Sequence, residues 1–197
     1  MIERTLVLLK PDAVQRALVG EIISRFEKPG FKIIGLKMVY ADKETAGKHY
    51  ADDAAWLKEV GENTRKSLAA KGQDKNLEKD DMDIGRRVRS WLMEFISMSP
   101  IIALCIEGHG AIAKVRQIVG DTQPHKAAPG TIRGDFALDS YALADDATRP
   151  IQNLIHASDS KETAEREISV WFKPSELHPY KRVDEELLYR KVNRKGK

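Results

Sequence analysis

The stretch RTLVLLK, Arg4 to Lys10, is a leucine- and valine-rich run that stops at Pro11-Asp12, a pair that favours a turn. It reads as a first strand with Lys10 at its end. From Leu18 to Lys28 the period changes: Val19, Ile22, Ile23 and Phe26 recur at helical spacing, and Pro29-Gly30 closes the helix. FKIIGLKMVY then reads as a second strand. From Asp42 to about Gly72 the pattern predicts helix, with Asp42 as N-cap and Tyr50, Ala54, Leu57 and Leu68 on the apolar side. GQDKNLEKDDMD loses periodicity and reads as a polar connector. IGRRVRSWLMEFISM follows as an amphipathic helix with Val88, Leu92, Phe95 and Ile96 on one face, which leaves Arg86, Arg87 and Arg89 as a solvated face.

PIIALCIEG is apolar almost throughout, as a central strand covered on both faces would be. GAIAKVRQIVG is a further core helix closed at Gly120. The irregular stretch from Asp121 to Pro150 is too long for a simple connection, and such loops are usually functional or locally structured. NLIHAS reads as the fourth strand and KETAEREISVWF as the last core helix, opened by Ser158-Asp159-Ser160 with their capping oxygens. The order predicts a single α+β domain over 1–197, a ferredoxin-like β-α-β-β-α-β antiparallel sheet with an added helical hairpin and a C-terminal extension.

Composition narrows this picture. The chain has 33 basic against 30 acidic residues, a net charge of +3 that gives nucleic acid and anionic membrane no strong electrostatic claim. The basic YRKVNRKGK reads as a solvated end. Cys105 is the one cysteine, inside an apolar run, so no internal disulfide can form and a reducing cytoplasm is the expected home. The first residues lack the basic start and long apolar core of a signal peptide, and no apolar run approaches the ~20 residues of a membrane helix.

Candidate chemistry collects where elements end. Lys10 closes the first strand, Arg116 rides the third core helix, Thr122 follows it, Arg133 lies in PGTIRGDF, and Asn153 and His156 bracket the last strand. Arginine forks, a lysine point charge and small hydroxyl or amide groups are what phosphate binding uses. Singly, each also has a surface or structural explanation. His49, His109, His125 and His178 sit in polar surroundings with no converging partner legible in the sequence.

ERTLVLLKPDAVQRALVGEIISRFEKPGFKIIGLKM, the later HY, VRQIVGDTQP, AAPGTIRGDFAL and NLIHASDSKETAEREI, in this order, resemble the nucleoside diphosphate kinase family over about two-thirds of the chain. The resemblance implies a ping-pong transfer in which His156 takes the γ-phosphate of a nucleoside triphosphate and passes it to a nucleoside diphosphate. It implies that Glu167 orients His156 with Ser158 in support, and that Lys10 and Asn153 meet the γ-phosphate and the sugar hydroxyl. Arg116, Thr122 and Arg133 would clamp phosphates, and Tyr50 would lie against His156. It further implies NTP and NDP as substrates, with Mg²⁺ arriving on the nucleotide rather than at a dedicated metal site, and a homo-oligomer, tetramer or hexamer. A binding module that has lost turnover, and a nucleic-acid binder, are the competing readings.

Three departures bear on this. Ala157 stands where the family has glycine after the histidine. Insertions at about 52–83 and 139–150 flank the base site, and a C-terminal tail begins at about 174. The aromatic expected to stack on the base falls at Val88, with Trp56, Trp91 and Tyr141 as candidate replacements.

Overall fold

A computed structural model describes residues 2–50, 52–70, 72 and 80–190. Four strands, β1 (Ile2–Leu9), β2 (Lys32–Val39), β3 (Ile101–His109) and β4 (Ile155–Ala157), form one sheet in the order β2-β3-β1-β4, every neighbouring pair antiparallel. Alternation sends Leu6 and Leu8 to one face and Val7 and Leu9 to the other, and both faces are buried. β3 divides likewise, with Ile102, Leu104 and Ile106 against Ile101, Ala103 and Cys105. The continuous apolar runs are thus two half-cores read through one strand.

Helices α1 (Pro11–Gln15), α2 (Val19–Glu27) and α3 (Lys43–His49) come first, then the pair α4 (Ala54–Ala69) and α5 (Asp81–Ser97). α6 (Ala111–Val119), the short α7 (Ile132–Phe136) and α8 (Tyr141–Asp146), α9 (Lys161–Trp171) and α10 (Glu185–Leu188) follow. Phe26 of α2, Val115 of α6 and Ile132 of α7 cover one sheet face, while Ala46 of α3, Ile96 of α5 and Trp171 of α9 cover the other. The α+β order of the sequence is the order of the fold.

Several boundaries differ, each for a local reason. Pro11-Asp12 starts α1 rather than a free turn, because proline at the first helical position lacks only an N–H that would be unpaired anyway. The helix predicted from Asp42 to Gly72 is two. Asp42 caps α3 through the Thr45 N–H (2.7 Å), but Asp53 caps a fresh helix through Trp56 N–H (2.8 Å), so α3 ends at His49 and Ala54 lies exposed at the new start. α5 begins at Asp81, capped by Asp80, ahead of the predicted Ile84; most of the polar connector, residues 73–79, lies outside the described residues. β4 is shorter than NLIHAS, since Leu154 has φ +66° and leaves the extended path. Within the extension, α10 is described and the basic end beyond Arg190 is outside the described residues. No described helix is long and apolar enough to cross a membrane.

Candidate active site

β4 and α9 build the centre. His156 leaves β4 beside β1, and α9 folds back so that Glu167, three turns on, sets Oε2 at 2.8 Å from His156 Nε2. Ser158 donates its hydroxyl to the same oxygen at 2.7 Å. The helix cap itself is Ser160, which accepts from the Thr163 N–H at 3.1 Å, so Ser158 is released from capping and serves Glu167. A carboxylate only accepts, so it holds the proton on Nε2 and leaves the Nδ1 lone pair free. Ala157 sits in extended backbone and outside the positive-φ residues, which removes any need for glycine there.

Around the imidazole lies a cavity of about 580 Å³ lined by Lys10, Arg116, Arg133, Asn153 and His156 among others. Lys10, buried at the end of β1, donates to Asn153 Oδ1 (2.8 Å), and Asn153 Nδ2 donates to the Thr122 carbonyl (2.8 Å). Burial first, and then the Arg133 charge, lower the Lys10 pKa to about 8, with Asp12 acting in the opposite sense. Arg133 donates to the carbonyls of Asn153, Ile155, Gly120 and Asp121, so its fork ties the loop after α6 to β4 while one edge faces the cavity. Burial, then Arg116, bring its pKa to about 10. Arg116 is exposed and reaches the Ala157 carbonyl at 3.4 Å, and Thr122 is exposed at the cavity wall. Gly120, at φ +89°, lets this loop close, since a Cβ there would strike Thr131.

Tyr50 lines the cavity, its phenol buried and its pKa raised by that burial. Next to it, His49 corrects the sequence reading: far from lying in polar surroundings, it is 4% exposed and its ring stands perpendicular to that of His156 at 4.6 Å. Two arginines fix this corner. Arg89 donates to the carbonyls of Tyr50 (2.6 Å) and Gly47 (3.2 Å), so it is not part of a solvated face, whereas Arg86 is exposed beside Asp83. Arg166 donates to the Lys48 carbonyl (3.0 Å) and lies 3.4 Å from Glu167 Oε1. Asp12 was also missed. Its Oδ2 accepts the Leu154 N–H at 2.9 Å and so sustains the turn that presents Asn153 and His156. Its place two residues after Lys10, across Pro11, was the only sign of it in the sequence.

The cavity continues into a wing of about 310 Å³ between α4, α5 and α8, lined by Trp56, Val88, Trp91, Tyr141 and Ile151. Arg87 lies over the Trp91 ring at 5.2 Å. On the far wall Asp139 receives two Arg149 N–H groups (2.6 and 3.1 Å) and the backbone of Ser140 and Gln152, which pins both ends of the segment carrying α8. Ser67 of α4 donates to Asp145 of α8 at 3.0 Å and joins the two walls.

Among the described residues, one group of histidine and carboxylate side chains could hold a metal, His49, His156 and Glu167, with donor atoms within 4.8 Å of one another. Two imidazoles and a carboxylate already engaged in hydrogen bonds do not fit Mg²⁺, which takes oxygen ligands in an octahedron. The arrangement suits a histidine nucleophile facing a phosphate-binding cavity.

Comparison with known proteins agrees with this geometry. The family model described as nucleoside diphosphate kinase matches residues 3–58 and 84–177. A nucleoside diphosphate kinase from Pyrobaculum aerophilum is 45% identical over 179 residues, 89% of this chain and 98% of that protein. The crystal structure of an NDP kinase from the same organism superposes with a TM-score of 0.88 at 42% identity, covering 91% of this chain and 100% of that one. The Borrelia burgdorferi nucleoside-diphosphate kinase, solved as a transition state mimic with vanadate and ADP, gives 0.75 at 35% identity, over 94% and 96% of the two chains. With a histidine–glutamate pair at the floor of a cationic cavity and relatives of this identity along most of its length, the chain belongs to the nucleoside diphosphate kinase family of phosphotransferases.

Proposed function

We propose that the protein moves a γ-phosphoryl group from a nucleoside triphosphate to a nucleoside diphosphate through a phosphohistidine at Nδ1 of His156. The observation that carries this is the His156–Glu167 pair: with Nε2 hydrogen-bonded, Nδ1 is the nitrogen whose lone pair can attack phosphorus without a separate base. The N–P bond forms as the bond from phosphorus to the bridging oxygen breaks, and the electron pair leaves with the diphosphate. Glu167, fixed by Ser158, stabilises the ring as it becomes cationic. Lys10, Arg116, Arg133 and Thr122 meet the phosphates, Asn153 joins Lys10 at the sugar hydroxyl, and Tyr50 bounds the phosphoryl on the His156 side. Such positioning and charge stabilisation dominate phosphoryl transfer. Mg²⁺ belongs to the substrate, bound through the nucleotide phosphates.

The base would enter the wing, where Trp91 or Tyr141 beside Val88 takes the place of the family's aromatic platform. The segments near 52–83 and 139–150 are read as insertions in a single domain, with a tail from about 174; the family model passes over residues 59–83. A cytoplasmic homo-oligomer, tetramer or hexamer, is the proposed working form, and nucleic acid is not a proposed partner. Incubation with ATP and Mg²⁺ should add one acid-labile phosphoryl group by intact mass, discharged by any nucleoside diphosphate. His156→Ala should keep the fold and lose both the adduct and turnover; GTP-to-dTDP transfer by that variant would refute the mechanism.

A further inference from the structure

His49 carries one polar atom that the fold leaves without a use. The residue ends α3, and its ring packs edgewise with Tyr50 at 4.7 Å, His156 at 4.6 Å and Trp171 at 5.7 Å. Trp171 donates its indole N–H to His49 Nδ1 at 3.3 Å. An indole nitrogen is only a donor, so Nδ1 must be bare and the proton of the neutral ring must sit on Nε2. Burial, and after it His156, Lys10 and Arg166, hold the His49 pKa well below its ordinary value, which keeps the ring neutral. The nearest carboxylate oxygen, Glu167 Oε1, lies 3.9 Å from Nδ1, the nitrogen already taken. Nε2 is buried and has no hydrogen-bond partner among the described residues.

A buried N–H without an acceptor is uncommon and costs about 1–3 kcal/mol. If the role of His49 were only to fill space and anchor Trp171, the bond at Nδ1 would account for it and Nε2 would need no explanation. But the ring lines the phosphate cavity and stands against the nucleophile. An acceptor brought by the ligand is what the site lacks.

We infer that His49 is a further catalytic residue, whose Nε2–H donates a hydrogen bond to an oxygen of the phosphoryl group while that group is joined to, or leaving, His156. The inference rests on the proposed phosphohistidine. No proton leaves His49: the N–P bond at His156 forms, the bond to the bridging oxygen breaks with its electrons on the departing diphosphate, and the His49 N–H only strengthens its bond as charge spreads over the equatorial oxygens. A neutral donor has an advantage beside three cationic side chains. It adds no further charge to a group that must be released in the second half-reaction, where equal gains in ground and transition state would not help.

The test compares His49→Asn with His49→Gln. Asparagine places an amide oxygen roughly where Nδ1 lies and can still receive Trp171, but it does not reach the Nε2 position; glutamine does reach it with an N–H. Single-turnover phosphorylation by ATP and Mg²⁺, with kcat and KM, should show the asparagine variant slowed roughly 100-fold with KM little changed, and the glutamine variant recovering at least part of that loss. Asparagine at the unmodified rate, or equal losses in both with KM rising in step, would overturn the role. Because either variant can fail to fold, a second reading uses the unmodified protein labelled with ¹⁵N-histidine. Phosphorylation of His156 should move the His49 Nε2–H resonance downfield and slow its exchange with water; an unchanged resonance in a protein carrying the phosphoryl group rejects the role of His49 alone. A protein that accepts no phosphoryl group from ATP rejects the kinase reading and this role together.

Discussion

Lys10 is held at a pKa of about 8 by burial and by Arg133, and that sets opposite pH trends for folding and for binding. An unfolded lysine keeps its proton up to about 10.4, so above about 8 the unfolded chain binds more protons than the folded one, and this group makes the free protein more stable as pH rises toward 10. Nucleotide phosphate needs the charged form. We therefore expect kcat/KM to fall by roughly tenfold per unit once pH exceeds about 8, while melting temperature does not fall in parallel. Lys10→Arg, charged throughout, should lose that alkaline limb even if its overall rate is lower; a limb that persists in the arginine variant assigns it elsewhere. At this scale the family motif named Lys10, Tyr50, Arg116, Thr122, Arg133, Asn153, His156 and Glu167, and the fold gathers them around one cavity. The sequence could not reveal Asp12 or His49. Their roles depend on partners at separations of 142 and 122 residues, Leu154 and Trp171, and on burial that no local pattern encodes.

α4 and α5 cross so closely that a Cβ at Gly61 would run into the Asp81 carbonyl, and one at Gly85 into that of Leu57. Backbone cannot yield as a side-chain tip can, so Gly61→Ala should destabilise the protein by about 1–3 kcal/mol and shift Trp91 and Val88 out of register with α8. Calorimetry and nucleotide KM should both respond, whereas a small donor such as phosphoramidate should still phosphorylate His156; an unchanged KM would detach the helix pair from the nucleoside site. The wing itself is tested by Trp91→Ala and Tyr141→Ala. Loss of a stacked ring costs about 1–3 kcal/mol in binding and is tolerant of base identity, so one of them should raise KM for all nucleotides and leave the saturated rate alone. If neither moves any KM, both rings serve packing. Element types were legible from periodicity, and the α2 and α9 boundaries lie within a residue or so of the pattern. The break at Tyr50 was not legible, since Asp53 caps a second helix inside what reads as one amphipathic run, and the Arg89 bonds that hold the broken end come from α5.

β2 is an edge strand of the sheet; Leu36 and Met38 on it, and Tyr40 just past its end, are 54%, 60% and 66% exposed. Their spacing puts Leu36 and Met38 on one side of the strand, in register beside Leu104 and Ile102 of β3, so the apolar row continues a buried one out to the margin. An uncovered apolar edge invites pairing with another chain, and proteins that keep one normally cover it or blunt it with charge. Neither device is present at these three positions. Lys37, on the opposite side, is drawn down over Phe172 and paired with Glu176 instead of guarding the edge. With a net charge of only +3, long-range repulsion between copies is weak. A second copy of this chain, related by a twofold axis so that each β2 meets the other, would cover both rows at once, and closed symmetry makes such a dimer a unit for tetramers or hexamers. Lys10, Arg116, Arg133, Asn153, His156 and Glu167 all line the cavity from one chain, so loss of assembly is expected to lower stability more than chemistry. Light scattering on the unmodified protein is expected to give a multiple of 22.2 kDa. Met38→Lys with Leu36→Lys should reduce that mass and lower the melting temperature, while the monomer still forms the phosphohistidine. A 22.2 kDa mass at micromolar concentration before any substitution would count against the assembly, and an unchanged oligomer after it would move the interface away from β2.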